Sequence, residues 1–156
     1  MLRTTSQRPE PPATFRREET PAELDGLQVP PQEWRAIITV RPNVLAEGPD
    51  SSTERLIDAI TSTLRGPVYE WDCVSCGQEP ASTLIVRHVD LLNAADHRRL
   101  LDYLTAEGTQ VRVRQVIATS TQPLYAMVES GLLSSDLYYR LNTIRLEFAT
   151  ISPLEA

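Results

Sequence analysis

The sequence predicts a three-layer α/β/α fold, a parallel sheet with helices on both faces. Three observations carry this. Short apolar runs alternate along the chain with amphipathic segments of helical period. Two of the runs, Thr83-Leu84-Ile85-Val86 and Val116-Ile117-Ala118, are continuous rather than alternating, the pattern of strands covered on both faces. Glycine and proline stop signals at Gly48, Gly66-Pro67, Gly108 and Gly131 fall where strands and helices have to end.

Residues 1–33 hold six of the twelve prolines among Arg, Glu, Thr and Gln, with few and aperiodic apolar residues. This composition predicts a disordered, partly polyproline-like tail, with an ordered domain over 34–156. Trp34–Val40 reads as an edge strand or a helical turn. Asn43-Val44-Leu45-Ala46-Glu47 reads as a buried strand ending at Gly48. Ser51 and Glu54 have the spacing of a capping box, and Leu56, Ile57, Ile60 and Leu64 then repeat at helical spacing. Val68–Trp71 is a short strand, and the loop from Asp72 to Ser82 holds both cysteines. After the Thr83–Val86 strand, Asn93 caps a helix whose apolar face carries Leu100, Leu101 and Leu104, leaving His97 solvated beside Arg98 and Arg99. Val111–Thr119 is the next strand, Pro123–Ser130 a short helix closed by Gly131, and Asp136–Leu141 a helical turn capped by Ser134 or Ser135. Thr143–Phe148 alternates as a last strand.

Composition narrows the chemistry. A formal net charge of −6 over 156 residues, with neither residues 1–33 nor the rest of the chain basic, argues against a general nucleic-acid binder. No apolar run has membrane-spanning length and no secretory leader is evident, so the expectation is a cytoplasmic protein without a membrane partner. All fifteen basic residues are arginine; the chain has no lysine. That removes lysine bases, Schiff-base chemistry and the phosphate-binding lysine of a P-loop. Cys73 and Cys76 fit inert loop thiols, a redox-sensitive pair, or metal ligands completed from elsewhere. Two ligands alone do not close a zinc site, and no metal site is expected.

In a parallel sheet the turn between a strand and a following helix is the natural phosphate site. Gly48-Pro49-Asp50-Ser51-Ser52-Thr53-Glu54-Arg55 stands at such a turn and has P-loop length. The pattern GxxxxGK[ST] calls for glycine where Thr53 stands, lysine where Glu54 stands and a hydroxyl residue where Arg55 stands. Further on, Asp136-Leu137-Tyr138-Tyr139-Arg140-Leu141-Asn142, preceded by Gly131, resembles the "GxFRxDLYYRLN" signature of the AAA+ domain in bacterial sigma-54-dependent transcription activators. Other segments follow in that family's order. Thr83–Val89 looks like its "GTLFLDEI" Walker B strand, Leu100–Leu104 like "KLLRVLQ", Val111–Ser120 like "VRVIAATN", and Asp72-Cys73 like its "NC". The resemblance covers roughly residues 43 to 153 and implies a P-loop NTPase-like (AAA+) core.

The departures from the family imply the function. The Walker B carboxylates are replaced by Arg87 and His88, and the sensor asparagine by Ser120. Of the two arginines that the family directs onto a neighbour's nucleotide, only Arg140 remains; Ser134 stands at the other. About ten residues separate the Cys73 region from Thr83, too few for the family's sigma-contacting GAFTGA loop. The chain stops soon after Pro153, so neither helical lid nor DNA-reading domain is expected, and direct DNA binding is not expected. Without the lysine and both Walker B carboxylates no ATPase is expected, since losing one such group already costs orders of magnitude in rate.

The resemblance therefore implies a non-catalytic regulatory or protein-interaction module, linked to transcription regulation or signalling. Its partner would be a protein, either a related AAA+ ATPase or a second copy of the chain. Tyr138, Tyr139 and Arg140 would supply a residual interface, against the alternative that Leu137, Tyr138 and Leu141 pack the core. No cofactor is expected. The alternative function is a nucleotide or anion sensor that binds ATP, with or without Mg²⁺, at the remnant of Gly48, Asp50, Ser52, Thr53 and Glu54. In that pocket Arg87 either meets an anion or pairs with Glu54 or Asp50.

Overall fold

A computed structural model of the chain describes residue 24 and residues 26–71, 83–105 and 115–149. The tail up to residue 23, the cysteine loop, Gly108, the alternating residues 111–114 and the chain after residue 149 lie outside the described residues. So does any test of what was expected of them.

Helix α1 spans Pro31–Thr39, which decides between the two readings of that segment in favour of a helix. Pro31 occupies the first helical turn, where its fixed φ suits a helix and its missing N–H costs nothing. Trp34 and Ile37, three apart, then fall on one buried face. The domain boundary expected at residue 34 thus falls inside this helix. Leu24 and Val29, ahead of it, are also buried in the core. Arg41, with φ of 58°, turns the chain out of α1, and its guanidinium bonds the Thr63 hydroxyl and carbonyl, both at 3.1 Å.

Strand β1 (Val44–Glu47) leads through Gly48-Pro49 into helix α2 (Asp50–Thr61). The strands β2 (Val68–Glu70) and β3 (Thr83–Val86) follow, then a 3-10 turn over Val89–Leu91 and helix α3 (Ala94–Thr105). Strand β4 (Gln115–Ser120), helices α4 (Leu124–Glu129) and α5 (Ser135–Leu141), and strand β5 (Ile144–Glu147) complete the described fold. The five strands are all parallel, in the order β2-β3-β4-β1-β5. Every residue of the three central strands β1, β3 and β4 is buried, as their continuous apolar runs require.

Side chains alternate between the two faces of these strands. Val44, Ala46, Ile85, Ile117 and Leu146 pack with α1 and α2 on one face. Leu45, Leu84, Val86, Val116 and Ala118 pack with α3, α4 and α5 on the other. This is the expected α/β/α sandwich. The connection leaving β1 crosses the sheet one way over the α2 face. Those leaving β3 and β4 cross the other way over the opposite face, as right-handed crossovers must. The reversal falls at the carboxyl ends of β1, β4 and β3, the place of the crevice in which open α/β sheets bind their ligands.

Local chemistry explains most of the helix ends. Asn93 Oδ1 accepts the Asp96 N–H at 2.8 Å, and Ser134 Oγ accepts the Leu137 N–H at 3.2 Å, so both caps form. Gly131, with φ of 79°, closes α4. Two expectations fail. The Ser51–Glu54 capping box is absent, because α2 starts at Asp50 with Pro49 as its cap residue and no side-chain cap bond. His97 is buried rather than solvated, its Nε2 lying 2.8 Å from the Val89 carbonyl oxygen. It lies three residues before Leu100 and so shares that residue's buried stripe.

Candidate functional site

The crevice collects the turn after β1, the first turns of α2, and the residues that follow β2 and β3. Its first property is that the turn is short. Only Gly48 and Pro49 separate β1 from α2, so residues 50–54, read as part of a phosphate-length loop, are already helical. Pro49 has no N–H, and the N–H groups of Ser52 and Thr53 are spent on the Pro49 carbonyl at 3.0 and 3.1 Å. Thr53 is buried, its hydroxyl donating to the Asp50 carbonyl at 3.3 Å. The backbone donors that cradle a phosphate in a P-loop are thus largely bonded within the helix itself.

Gly48 is fixed by its neighbours. Its φ is 152°, its N–H donates to the Ser120 carbonyl at 2.9 Å, and the chain leaving β5 lies directly against it. A β-carbon at this position would sit 2.8 Å from both Cβ and the carbonyl oxygen of Phe148. Phe148 is held there by its own N–H, which donates to the Glu47 carbonyl at 2.8 Å.

The second property is an ionic network across the mouth. Arg87, just past β3, donates from Nε to Glu54 Oε1 at 2.6 Å and from Nη2 to Glu54 Oε2 at 3.2 Å. Its Nη1 donates to Glu70 at the end of β2. The Glu54 hydrogen bond, and secondarily Glu70, raise the Arg87 pKa above its ordinary range. His88 Nε2 lies 2.7 Å from Asp50 Oδ1. His88 takes a left-handed backbone, with φ of 53°, and its N–H donates to the Thr119 hydroxyl at 3.0 Å. Thus Asp50, Glu54, Arg87 and His88 come together as a set, with Arg87 on Glu54 rather than on Asp50. Glu70 completes the network. Sequence reading placed it only on a strand, since nothing local says which cation will face it.

The other predicted residues do not join this network. The Ser120 hydroxyl is turned into its own loop, donating to the Gln122 carbonyl at 2.5 Å. Tyr138 is buried, and burial raises its phenol pKa, while Tyr139 on the next position is 66% exposed. Tyr138 thus packs the core together with Leu137 and Leu141, while Tyr139 lies outside it. Arg140 is exposed near the C-terminal end of α5, where its carbonyl accepts from Asn43 Nδ2 at 2.7 Å. Asn43 precedes β1, so Arg140 lies at the end of the sheet opposite Gly48.

Glu47 is a further charged group that sequence reading passed over. It ends β1, is 4% exposed, and accepts two bonds of 3.1 Å from Arg145 Nε and Nη2 on β5. Those bonds raise the Arg145 pKa. The signal was present as a carboxylate ending an apolar run, which needs a partner once buried. Among the described residues no group of three or more His, Cys, Asp or Glu side chains is placed to hold a metal ion. None of the described helices is long and apolar enough to cross a membrane.

The parallel five-stranded sheet in the order β2-β3-β4-β1-β5, flanked by helices on both faces, is a P-loop NTPase-like (AAA+) fold, one that the solved structures below share. Residues 84–147 match the family model of the sigma-54 interaction domain, so this stretch is sigma-54 interaction domain-like, as the Asp136–Asn142 motif indicates. Among solved structures, NtrX from Brucella abortus in complex with ATP superposes with a TM-score of 0.62 at 17% identity, over 84% of this chain and 36% of that one. The same protein in complex with ADP gives 0.61 at 17% identity, over 83% and 36%. The RuvB Holliday junction branch migration motor of Thermotoga maritima gives 0.54 at 22% identity, over 76% and 42%. The chain thus spans about a third of the NtrX chain, and at these identities the likeness is one of fold. No curated protein matches the sequence.

Proposed function

We propose that this chain is a non-catalytic AAA+-like module that works through protein contacts in transcription regulation or signalling. The observation that carries the reading is the Glu54–Arg87–Glu70 network, with His88 on Asp50, at the place where a nucleotide's phosphates and metal would lie. In this reading the crevice does not take a magnesium nucleotide. The cation present is neutralised by two carboxylates, the lysine has no counterpart anywhere in the chain, and the helix begins where a phosphate loop should be. Asp50 in the first turn of α2, and Glu54 just after it, oppose a polyphosphate that the helix terminus alone would attract.

On this proposal the protein is cytoplasmic, needs no cofactor, does not bind DNA directly, and has as partner a related AAA+ ATPase or a second copy of itself. The decisive experiment is thermal unfolding of the purified chain titrated with ATP and with ADP, with and without Mg²⁺. A ligand that binds only the native state at a hundred times its Kd adds about 2.7 kcal/mol and raises the midpoint visibly. No saturable rise is expected. A saturable one would overturn the proposal in favour of a nucleotide sensor. Sedimentation, alone and with a related ATPase, addresses the partner; a strict monomer that binds nothing would count against a contact module.

A further inference from the structure

The outer face of α4 and α5 is built around three tyrosines. Tyr138 is 5% exposed, and the rings of Tyr125 and Tyr139 pack on it with centroids 5.7 and 5.4 Å away. Tyr125 and Tyr139 are themselves 46% and 66% exposed, and Leu132 between the two helices is 65% exposed. A pair of accessible aromatic rings over a buried third is the kind of surface on which proline-rich segments in a polyproline helix dock. Glu129, Asp136 and Arg140 of the same two helices are exposed.

We propose that residues 2–17 of the same chain dock on this tyrosine face. That segment carries Pro9, Pro11 and Pro12 within four positions, a composition that favours a polyproline helix and so a small entropy loss on binding. Around them stand Arg3, Arg8, Arg16 and Arg17 against the single acid Glu10, so the segment is basic, while α4 and α5 carry Glu129 and Asp136 against Arg140. Arginine also stacks on tyrosine rings. The reach is sufficient. Leu24 is anchored in the core layer that holds Leu146 and Phe148 beside the β5 edge. From there back to Pro12 the chain spans up to about 40 Å when extended. A domain of this size is roughly 35 Å across. The segment can therefore pass the β5 edge to α5, which covers the opposite face. Docking would cap the tyrosine face until a partner competes for it, and it is independent of whether the crevice binds nucleotide.

The test uses the full chain and limited trypsin digestion. Without lysine, trypsin cleaves only after arginine, and cleavage after Arg16 and Arg17 is read by mass spectrometry. Two variants are compared with the unaltered protein: Tyr125→Ser with Tyr139→Ser, whose unfolding midpoint checks the fold, and Pro9→Ser, Pro11→Ser, Pro12→Ser, which touches only the segment. Both should be cut roughly fivefold faster at these sites, the change that about 1 kcal/mol of docking gives. Hydroxyl-radical labelling of Tyr125 and Tyr139 should rise in the proline variant. Equal cleavage rates in all three proteins, or unchanged labelling of the two tyrosines, would overturn the proposal. Protection that fades on dilution would overturn docking within one chain and assign the segment to a second copy.

Discussion

Replacing Arg145 with Met leaves Glu47 buried at the end of the central strand with its counter-charge removed. Glu47 is 4% exposed, its carboxylate takes two 3.1 Å bonds from that guanidinium, and Glu147, the other ion-pair partner of Arg145, stays alongside as a like charge. Breaking a fully buried pair costs about 3–5 kcal/mol because a charge is left without a partner. The Arg145 side chain is 34% exposed, so water reaches one side of this pair and screens part of the penalty. The expected loss is about 2–3 kcal/mol, or roughly 8 °C in the unfolding midpoint for a domain of this size. Urea unfolding followed by circular dichroism measures it. The double change Glu47→Leu, Arg145→Met should recover most of the stability, since an apolar pair removes both charges from the interior. A single variant losing less than about 0.5 kcal/mol, or a double variant no more stable than the single, would refute the reasoning.

Three further outcomes follow from the crevice and the caps. Gly48→Ala should cost about 3 kcal/mol in denaturant unfolding, because the new methyl meets the Phe148 backbone 2.8 Å away and φ is 152°. Arg87→Met should cost no more than about 1 kcal/mol, since Glu54 and Glu70 are 43% and 67% exposed. That loss should shrink further in molar salt, read from the midpoint at two salt concentrations. Ser134→Ala removes the side-chain cap of α5 and should lower stability by about 1 kcal/mol.

The order of strands and helices was legible because each central strand is a continuous apolar run and the main helix ends carry local punctuation. Asn93, Ser134 and Gly131 act within three residues of themselves, and their roles could be read directly. The start of α2 was less legible. Ser51 and Glu54 have capping-box spacing, but Glu54 gives both oxygens to Arg87, a cation 33 residues away, and Pro49 takes the cap position. His97 was misplaced because its neighbours Arg98 and Arg99 suggested a wet face, whereas helical geometry puts it with Leu100. The segment Trp34–Val40 is too short for its period to separate helix from strand. Its burial on one side of the sheet decided it.

The sequence by itself determined the sheet-and-helix class, the sigma-54 interaction domain-like stretch, and the absence of any lysine for phosphate chemistry. Those are properties of residue type and of spacing along the chain. Only the tertiary structure decided which charges meet. Arg87 lies between Glu54 and Glu70, Asp50 lies on His88, Glu47 on Arg145, and Phe148 closes over Gly48. These partners come from different strands and helices. Their pairing follows from the strand order and crossover handedness, which bring distant carboxyl ends into one crevice and which no local pattern encodes.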